Sequence, residues 1–184
     1  MADLLGLETG QAVQKDAVIS ECTRYRYKLT RRWDGTKPML PVCMLNPSTA
    51  DHEKDDPTIR ELTYFATQWG YGGLSIINLL AFRSSSPKEM MASSDPFGPE
   101  NGTFIQRALT DARHSNAPLL AAWGNGGTWA DSDEWFRERA AFNMVSLICL
   151  GLTKDGHPKH PMARGVHRIP RDQQPIAYGR RGGQ

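Results

Sequence analysis

The sequence predicts a single α/β domain, in which a mostly parallel sheet is covered by helices on both faces. Four short, continuously apolar runs alternate with segments whose apolar residues recur at helical spacing. That alternation is typical of buried parallel strands joined by crossover helices. The chain has 184 residues, a length that suits one domain of about 100–200 residues. No internal repeat or linker divides it.

The first two predicted strands precede residue 46. The stretch RYRYKLT (24–30) alternates and is rich in aromatic residues, as a half-buried strand does. MLPVCML (39–45) is apolar throughout and predicts a buried strand. Asp34-Gly35 between them favours a tight turn. We therefore expect these two strands to form an N-terminal antiparallel hairpin.

Asp56 and Pro57 predict the start of the first helix. An aspartate caps free backbone amides, and proline is tolerated at the first helical position. Gly70 predicts the end of this helix. The remaining predicted elements are a strand over 74–82, a short helix opened by Ser86-Pro87, a longer helix opened by Pro99, a strand over 117–123, a helix over 131–144 and a strand over 145–152.

Composition sets broad limits on the class of protein. Hydrophobic residues make up 39% and charged residues 23%, a globular balance, and the net charge of +2 does not decide the partner. No apolar run approaches the roughly 18 residues of a membrane span, and the N-terminus does not have the pattern of a secretory signal. We expect a cytoplasmic protein with no membrane association. No obligate protein partner is evident.

The three cysteines are Cys22, Cys43 and Cys149. An odd number of widely spaced cysteines, two of them in apolar runs, favours reduced thiols over disulfides or a metal site. We expect residues 1–20 to be an N-terminal extension, 21–168 the domain and 169–184 a basic, flexible tail. The alternative for the tail is an arm that contacts phosphates.

Polar residues follow three of the buried strands, and Asn78 lies within the strand over 74–82; this is the most informative pattern in the sequence. Ligands of open α/β sheets bind in the crevice at the carboxyl ends of the strands. A single asparagine after a strand is most often a turn residue. Recurrence at equivalent places favours a binding site instead. The residues concerned are Asn46-Pro47-Ser48-Thr49, Asn78, Trp123-Gly124-Asn125, and His157 with Lys159 and His160.

Several other kinds of site find no support. Neither G-x-x-x-x-G-K-[ST] nor G-x-G-x-x-G follows a strand, which argues against nucleoside-triphosphate and dinucleotide sites. The acidic patch from Asp51 to Asp56 is more typical of a helix start than of a Mg²⁺ site. His157 and His160 lie among prolines, with no cysteine close in sequence, so a zinc site is weakly supported. We expect no metal and no cofactor.

A run of motifs resembles a bacterial and phage family catalogued as domain of unknown function 1643. The resemblance covers roughly residues 24 to 162, in the same order, and brings no established activity. The motifs are MLNPSTAD, DDPTIR, INLLAFR with SPKE, FGPEN, AAWG and LGLTKDGHPKHP.

At a greater distance, the order of the strand-end motifs is similar to that of the uracil-DNA glycosylase superfamily. That superfamily has a three-layer α/β/α sandwich with a central, mainly parallel sheet. Its first motif contains Asn-Pro in the mismatch-specific branch, as Asn46-Pro47 does here. A mid-chain strand carries a base-reading asparagine, which corresponds to Asn78. A strand ending in Trp-Gly, like Trp123-Gly124, precedes a motif that His157-Pro158-Lys159 resembles.

This resemblance implies metal-free hydrolysis of the N-glycosidic bond of a damaged or modified base, in DNA or in a nucleotide. Asn46 would position the water, and His157 would stabilise the departing base. Asn78 would read the base edge. The other residues that the resemblance and the strand-end pattern place in the substrate site are Pro47, Ser48, Trp123, Gly124, Asn125, Lys159 and His160.

Two departures from the superfamily pattern keep alternatives open. Lys159 stands where the superfamily has a serine, and the region DDPTIREL lacks the aromatic residue that stacks on the base. One alternative is a non-catalytic binder of modified or damaged bases. The other is an enzyme that acts on a modified base or nucleotide by different chemistry.

Overall fold

The computed structural model describes residues 13–48 and 50–179. The elements in these ranges begin with strands β1, β2 and β3, and from there helices and strands largely alternate. In chain order they are β1 (Gln14–Ile19), β2 (Arg26–Arg32), β3 (Met39–Met44), α1 (Pro57–Gln68), β4 (Gly73–Asn78), α2 (Pro87–Ala92), α3 (Asn101–His114), β5 (Leu119–Ala121), α4 (Ser132–Phe142), β6 (Leu147–Cys149) and β7 (Ile176–Ala177). Short 3₁₀ segments cover Gly124–Asp131 and Gly165–His167.

The strands form one mixed sheet in the order β1-β2-β4-β3-β5-β6-β7. The inner strands β4, β3, β5 and β6 run parallel to one another. The outer strands β1, β2 and β7 pair antiparallel to their neighbours. The α/β class is confirmed, and the expected parallel pairing describes the centre of the sheet but not its margins.

The predicted pairing of residues 24–30 with residues 39–45 is wrong. β2 pairs antiparallel with β4, and β4 lies between β2 and β3. The chain after β2 is held against β4 instead, because the backbone amides of Trp33 and Asp34 both donate to the carbonyl of Gly72 at 2.9 Å. An antiparallel hairpin does exist at the N-terminal side of the sheet, but β1 and β2 form it.

Three predicted strands extend beyond the observed ones. The runs at 74–82, 117–123 and 145–152 shorten to β4, β5 and β6. Leu79, Leu80 and Ala81 continue the apolar run after β4 and are at most 2% exposed. Hydrophobicity indicates burial and does not fix where a strand ends. The amides of Leu79 and Leu80 still donate to the carbonyls of Met44 and Leu45, each at 2.9 Å, although the regular strand ends at Asn78.

Helices cover both faces of the sheet. α1 packs on one face, where Ile59, Leu62 and Phe65 join a core cluster with β3 and β4. α3 and α4 pack on the other face, where Ile105, Leu109 and Phe136 join a second cluster. As expected, Asp56 caps α1 by accepting a hydrogen bond from the Ile59 amide at 2.9 Å, and Pro57 is its first residue.

Both ends of the described chain contribute to the sheet. β1 pairs along β2, and β7 pairs with β6. Tyr178, which follows β7, is 8% exposed and packs edge-on against Trp123. The described parts of the expected extension (1–20) and tail (169–184) therefore carry edge strands, while residues 1–12 and 180–184 lie outside the described residues.

Cys43 and Cys149 are buried and Cys22 is exposed, all as free thiols. Burial raises the pKa of the Cys43 and Cys149 thiols, whereas a hydrogen bond with Ser20 lowers the pKa of Cys22. Within residues 13–48 and 50–179, no helix has the length and apolar character to cross a membrane.

Candidate functional site

The strand order places a topological switch point between β3 and β5, and the region at their carboxyl ends is called the crevice below. These two strands are parallel neighbours, with Val42 opposite Leu120 and Cys43 opposite Ala121. The chain leaves β3 toward α1 on one face of the sheet and leaves β5 toward α4 on the opposite face. A doubly wound sheet forms its ligand crevice where two adjacent connections diverge in this way, at the carboxyl ends of the strands.

Asn46 lies two residues after β3, on one wall of this crevice. Its Nδ2 donates to the carbonyl oxygens of Ser84 at 2.8 Å, Pro47 at 3.1 Å and Phe82 at 3.5 Å. Three surrounding acceptors fix the orientation of the amide, since Oδ1 could not take that place. Oδ1 receives no hydrogen bond from the described residues, which leaves it as an oriented acceptor.

The residues after Asn46 differ in burial and in hydrogen bonding. Pro47 is buried, and its carbonyl also accepts the Ser84 amide at 2.9 Å, so it anchors the loop. Ser48 is half-buried and makes no hydrogen bond with the described residues. Thr49 lies outside the described residues. Of these neighbours, Ser48 is the one with an unengaged polar group beside Asn46.

The glycine-rich segment after β5 forms the opposite wall. Gly124 has φ +68, and its amide donates to the Pro158 carbonyl at 2.9 Å. A Cβ on Gly124 would lie 3.5 Å from the Cβ of His160, and one on Gly126 would lie 2.6 Å from Leu45 Cδ2. The absence of side chains thus lets this segment contact both the end of β3 and His160.

His160 is held in one tautomer. The Met162 amide donates to His160 Nδ1 at 3.1 Å, so the proton of the neutral ring is on Nε2. Burial lowers the pKa of His160 from its ordinary value of 6.5, against a smaller opposing effect of Asp56. Near pH 7 the ring is therefore neutral, with an Nε2–H donor that has no partner among the described residues.

His157 lies beside Asp133 of α4. Its Nδ1 lies 3.7 Å from Asp133 Oδ2, in the first turn of α4. Both residues line a groove of about 840 Å³ between α4 and the strands β6 and β7. The contacts of His157 thus associate it with this groove, whereas those of His160 associate it with the crevice.

Asn125 and Lys159 lie at the rim of the site. Asn125 Nδ2 donates to Asp155 Oδ2 at 3.1 Å. The Lys159 amide donates to the Gly151 carbonyl at 2.8 Å, and the Lys159 side chain runs beside Gly151, just after β6. Lys159 belongs to the segment that connects β6 to His160, and Asn125 contacts that segment at Asp155.

Trp123, expected in the substrate site, lies in the core. It is 1% exposed, and its ring packs edge-on against Phe136 and Tyr178 in the core. No face of the indole is open to a ligand, so its contribution is structural. The apolar strand run continues through Trp123, and that continuity was the signal of a core position.

Asn78 is enclosed beneath the crevice. It ends β4 and is 1% exposed, and neither Oδ1 nor Nδ2 has a hydrogen-bond partner in the described structure. Buried amide groups are nearly always paired. An unpaired amide at this position is therefore unusual and makes Asn78 a residue to test.

Sequence reasoning missed Arg26. The alternation RYRY predicts arginines that face solvent, but Arg26 is 3% exposed. A bulge in β2 causes the difference, because Val18 lies opposite Lys28 and Ile19 opposite Arg26, which skips one residue. Arg26 Nη1 donates to the Ala50 carbonyl at 2.6 Å, and burial lowers the pKa of Arg26 to about 10.

The acidic patch is engaged in structural contacts. Asp55 lies 2.6 Å from Arg31 Nε and 2.9 Å from Lys15 Nζ. Asp51 Oδ1 accepts the amides of Glu53 and Lys54, each at 2.8 Å. In the part of the chain that the structure describes, no three His, Cys, Asp or Glu side chains are grouped to hold a metal ion.

Comparison with known proteins identifies one family. A family model described as "Protein of unknown function (DUF1643)" matches residues 26–162, which is most of the chain. No curated protein and no solved structure matches the chain.

Proposed function

The chain belongs to the DUF1643 family, whose function is unknown, and from the crevice of this member we propose that it hydrolyses the N-glycosidic bond of a damaged or modified base. The substrate is DNA or a nucleotide. The observation that carries the proposal is Asn46, whose amide is locked by three carbonyls so that Oδ1 is left to orient a water molecule.

The second group that supports the proposal is His160. Cleavage of the bond leaves negative charge on the departing base, and a positioned donor stabilises that charge without reorganisation. The neutral ring of His160 offers Nε2–H, because its Nδ1 is occupied by the Met162 amide. The resemblance to glycosylases gives this role to His157, but the geometry favours His160, which contacts the crevice at Gly124.

The reaction can be written with these groups alone. The water held by Asn46 Oδ1 forms a bond to C1′ of the sugar as the carbon–nitrogen bond to the base breaks. The bonding electrons leave with the base, and His160 Nε2–H donates a hydrogen bond to its oxygen. The proton released by the water reaches the base through solvent, which gives a free base and a sugar hydroxyl. Helices on both faces of the sheet are consistent with a glycosylase-like α/β/α architecture.

The test uses oligonucleotides and nucleotides that carry a panel of altered bases, with base release measured directly. We expect Asn46→Ala to reduce release about 100-fold or more, as the loss of one preorganised polar contact does in other enzymes. The same change removes the hydrogen bond to Ser84, so we also expect a loss of about 1 kcal/mol in the free energy of unfolding.

Gln106→Ala is the matched control for this loss of stability. Gln106 Nε2 donates to Asn143 Oδ1 at 2.8 Å between α3 and α4, away from the crevice. We expect this variant to lose comparable stability and keep its activity. Base release by Asn46→Ala at the wild-type rate would refute the proposed role. His157→Gln and His160→Gln are assayed as separate variants. The one with the larger loss of base release identifies the histidine that stabilises the departing base.

A second candidate function is binding of modified bases without catalysis. It is favoured by Lys159, which stands where the superfamily has a serine, and by the lack of a stacking aromatic residue in DDPTIREL. This function predicts retention of the oligonucleotide in a gel-shift assay with no base released from any substrate of the panel. Release of a base by the wild-type protein would exclude it.

A further inference from the structure

We propose that Arg26 and Arg83 form a subsite for a phosphate group at the edge of the crevice. The inference deepens the proposed function, because it assigns a binding site for the phosphate of the nucleotide or DNA strand whose base is released. It concerns two cations that the catalytic scheme does not use.

Arg26 is a buried cation without an acidic partner in contact. Among the described residues it forms no ion pair, and its one side-chain hydrogen bond is from Nη1 to the Ala50 carbonyl. Nε is fully enclosed and has no partner. Nη2 also makes no hydrogen bond, but it is not among the atoms sealed from solvent. A buried guanidinium in this state retains strong donors that a phosphate can satisfy.

Arg83 repeats the same pattern from another segment. Its Nη1 donates to the Thr23 carbonyl at 3.1 Å, and its enclosed Nε has no partner. No carboxylate of the described chain pairs with it. Each of the two arginines thus uses one nitrogen to bind a backbone carbonyl and leaves the rest of its planar donor set unused.

The segments that carry Arg26 and Arg83 are paired, because the Arg26 amide donates to the Ala81 carbonyl at 3.0 Å and the Arg83 amide donates to the Arg24 carbonyl at 2.9 Å. The two arginines are therefore diagonal neighbours across this pairing. Burial has the largest effect on the pKa of Arg26 and lowers it, the charge of Asp56 raises it, and the charge of Arg83 lowers it by a smaller amount. Asp56 and Asp51 act in the opposite direction without contacting Arg26, since Asp56 caps α1 and Asp51 accepts backbone amides. Arg31, which also faces this region, is already paired with Asp55. An anion between Arg26 and Arg83 would relieve their repulsion.

The subsite is adjacent to Asn46. The Nδ2 of Asn46 holds the carbonyls of Phe82 and Ser84, which flank Arg83 in the chain. β2 runs antiparallel to β4, so Arg26 at the start of β2 lies at the same edge of the sheet as the end of β4. A phosphate held there is next to the water-positioning group, as the phosphate of a nucleotide is next to its sugar.

The chemistry of the pair favours phosphate. Guanidinium groups present planar sets of donors that match the oxygens of phosphate in a bidentate way, and they stay charged at neutral pH even when burial lowers their pKa. The same chemistry fits a nucleoside monophosphate and a DNA backbone phosphate. The test therefore needs separate arms for these two sources.

The experiment measures binding of inorganic phosphate, by calorimetric titration and by the thermal unfolding midpoint, against chloride at equal ionic strength. We expect phosphate to raise the midpoint of the wild-type protein, since a ligand bound to the native state stabilises it. We expect Arg26→Gln and Arg83→Gln each to weaken phosphate binding about tenfold or more. Arg83 is only half-buried, so its variant decides the outcome if Arg26→Gln fails to fold.

Arg24→Gln is the matched control. Arg24 is an exposed arginine that lies over the rings of Tyr25 and Phe82, so this variant removes the same charge from the same neighbourhood. We expect it to bind phosphate like the wild type. Equal phosphate binding by Arg83→Gln and Arg24→Gln would overturn the subsite, as would a wild-type protein that phosphate does not stabilise.

Two further arms identify the source of the phosphate and separate this inference from the proposed function. A nucleoside monophosphate that binds about tenfold tighter than its nucleoside, or an oligonucleotide that binds tighter still, supports the subsite and names its ligand. If Arg83→Gln releases bases with an unchanged KM, the subsite is wrong while the proposed reaction stands. If phosphate binding depends on the arginines but no base is released from any substrate, the phosphate subsite is supported and the proposed reaction is refuted.

Discussion

At the scale of single residues, unpaired polar atoms are concentrated at one edge of the sheet. Each such atom costs on the order of 1–3 kcal/mol when it is buried without a partner. Six of the nine such atoms in the described residues lie near the carboxyl ends of β4 and β5: Arg26 Nε, Asn78 Oδ1 and Nδ2, Arg83 Nε, Asn101 Oδ1 and Trp123 Nε1. The other three are Tyr27 Oη on β2, Ser93 Oγ at the end of α2 and Arg137 Nε on α4. Most of these atoms therefore lie near the candidate site, where their burial lowers the stability of the fold.

Replacing Asn78 by leucine should stabilise the protein. Leucine has a similar volume and removes two buried polar atoms that have no partner, so we expect the free energy of unfolding in urea to rise by about 1–2 kcal/mol. Any binding that depends on Asn78 should be lost at the same time.

Asn101→Leu provides the contrast for Asn78. Asn101 is 2% exposed, but its Nδ2 donates to the carbonyls of Asn78 and Leu79 at 3.2 and 3.0 Å. We expect this variant to lose stability, because both carbonyls lose their donor. If Asn78→Leu were destabilised as much as Asn101→Leu, Asn78 would have to be a paired structural residue.

The tautomer of His160 gives a prediction about pH. Burial lowers the pKa of this ring below 6.5, so the unfolded chain takes up a proton at a higher pH than the native protein. The stability linked to the neutral ring is complete above pH 6.5 and is lost as the pH falls toward the lowered value. Urea unfolding between pH 7 and 5 should show this loss in the wild type and a smaller loss in His160→Gln.

His114→Gln is the control for the pH experiment, because His114 is exposed at the end of α3. We expect it to retain the wild-type pH profile. Identical profiles for His160→Gln and the wild type would show that the ring is not held in the neutral form by the fold.

At the scale of elements, the 3₁₀ segment Gly124–Asp131 shapes one wall of the crevice. A Cβ on Gly127 would lie 2.6 Å from Trp123 Nε1 and closer still to Cδ1. The indole is packed against Phe136 and Tyr178 and has no free space to move into. The expected result for Gly127→Ala is a loss of about 1–3 kcal/mol in the free energy of unfolding, as for other overpacked cores.

Gly102→Ala is the control for Gly127→Ala, because it adds the same methyl group without a contact to Trp123. Gly102 lies in the first turn of α3, and a Cβ there would meet no atom within 4 Å. This variant should be neutral or stabilised by up to about 1 kcal/mol, since alanine is the better helix former. Equal effects of the two substitutions would show that Trp123 does not restrict position 127.

Elements also show where sequence-based prediction stops. The limits of α1 follow from Asp56, Pro57 and Gly70, because capping is a local interaction. The limits of β4 do not, since Leu79 and Leu80 are as apolar as the strand before them and yet lie outside it. Strand ends depend on the neighbouring strand, which is not encoded nearby in the chain.

At the scale of the whole molecule, the C-terminal segment closes one side of the core. Tyr178 is 8% exposed against Trp123, so Tyr178→Ala should lower the free energy of unfolding by about 3 kcal/mol, as the loss of a buried aromatic ring does. Phe142, which is 85% exposed on α4, is the control. Phe142→Ala should change the free energy of unfolding by less than about 0.5 kcal/mol. Similar losses in both variants would place Tyr178 outside the core.

The sequence by itself determined the α/β class, the first helix with its cap and the strand ends that carry Asn46 and His160. Those features depend on periodicity, capping and apolar runs, which are properties of neighbours in the chain. Only the tertiary structure decided that β4 lies between β2 and β3, that Trp123 is core, and that His160 rather than His157 contacts Gly124. It also revealed the buried Arg26. The reason is that strand order, a β-bulge and side-chain direction depend on contacts between residues far apart in sequence.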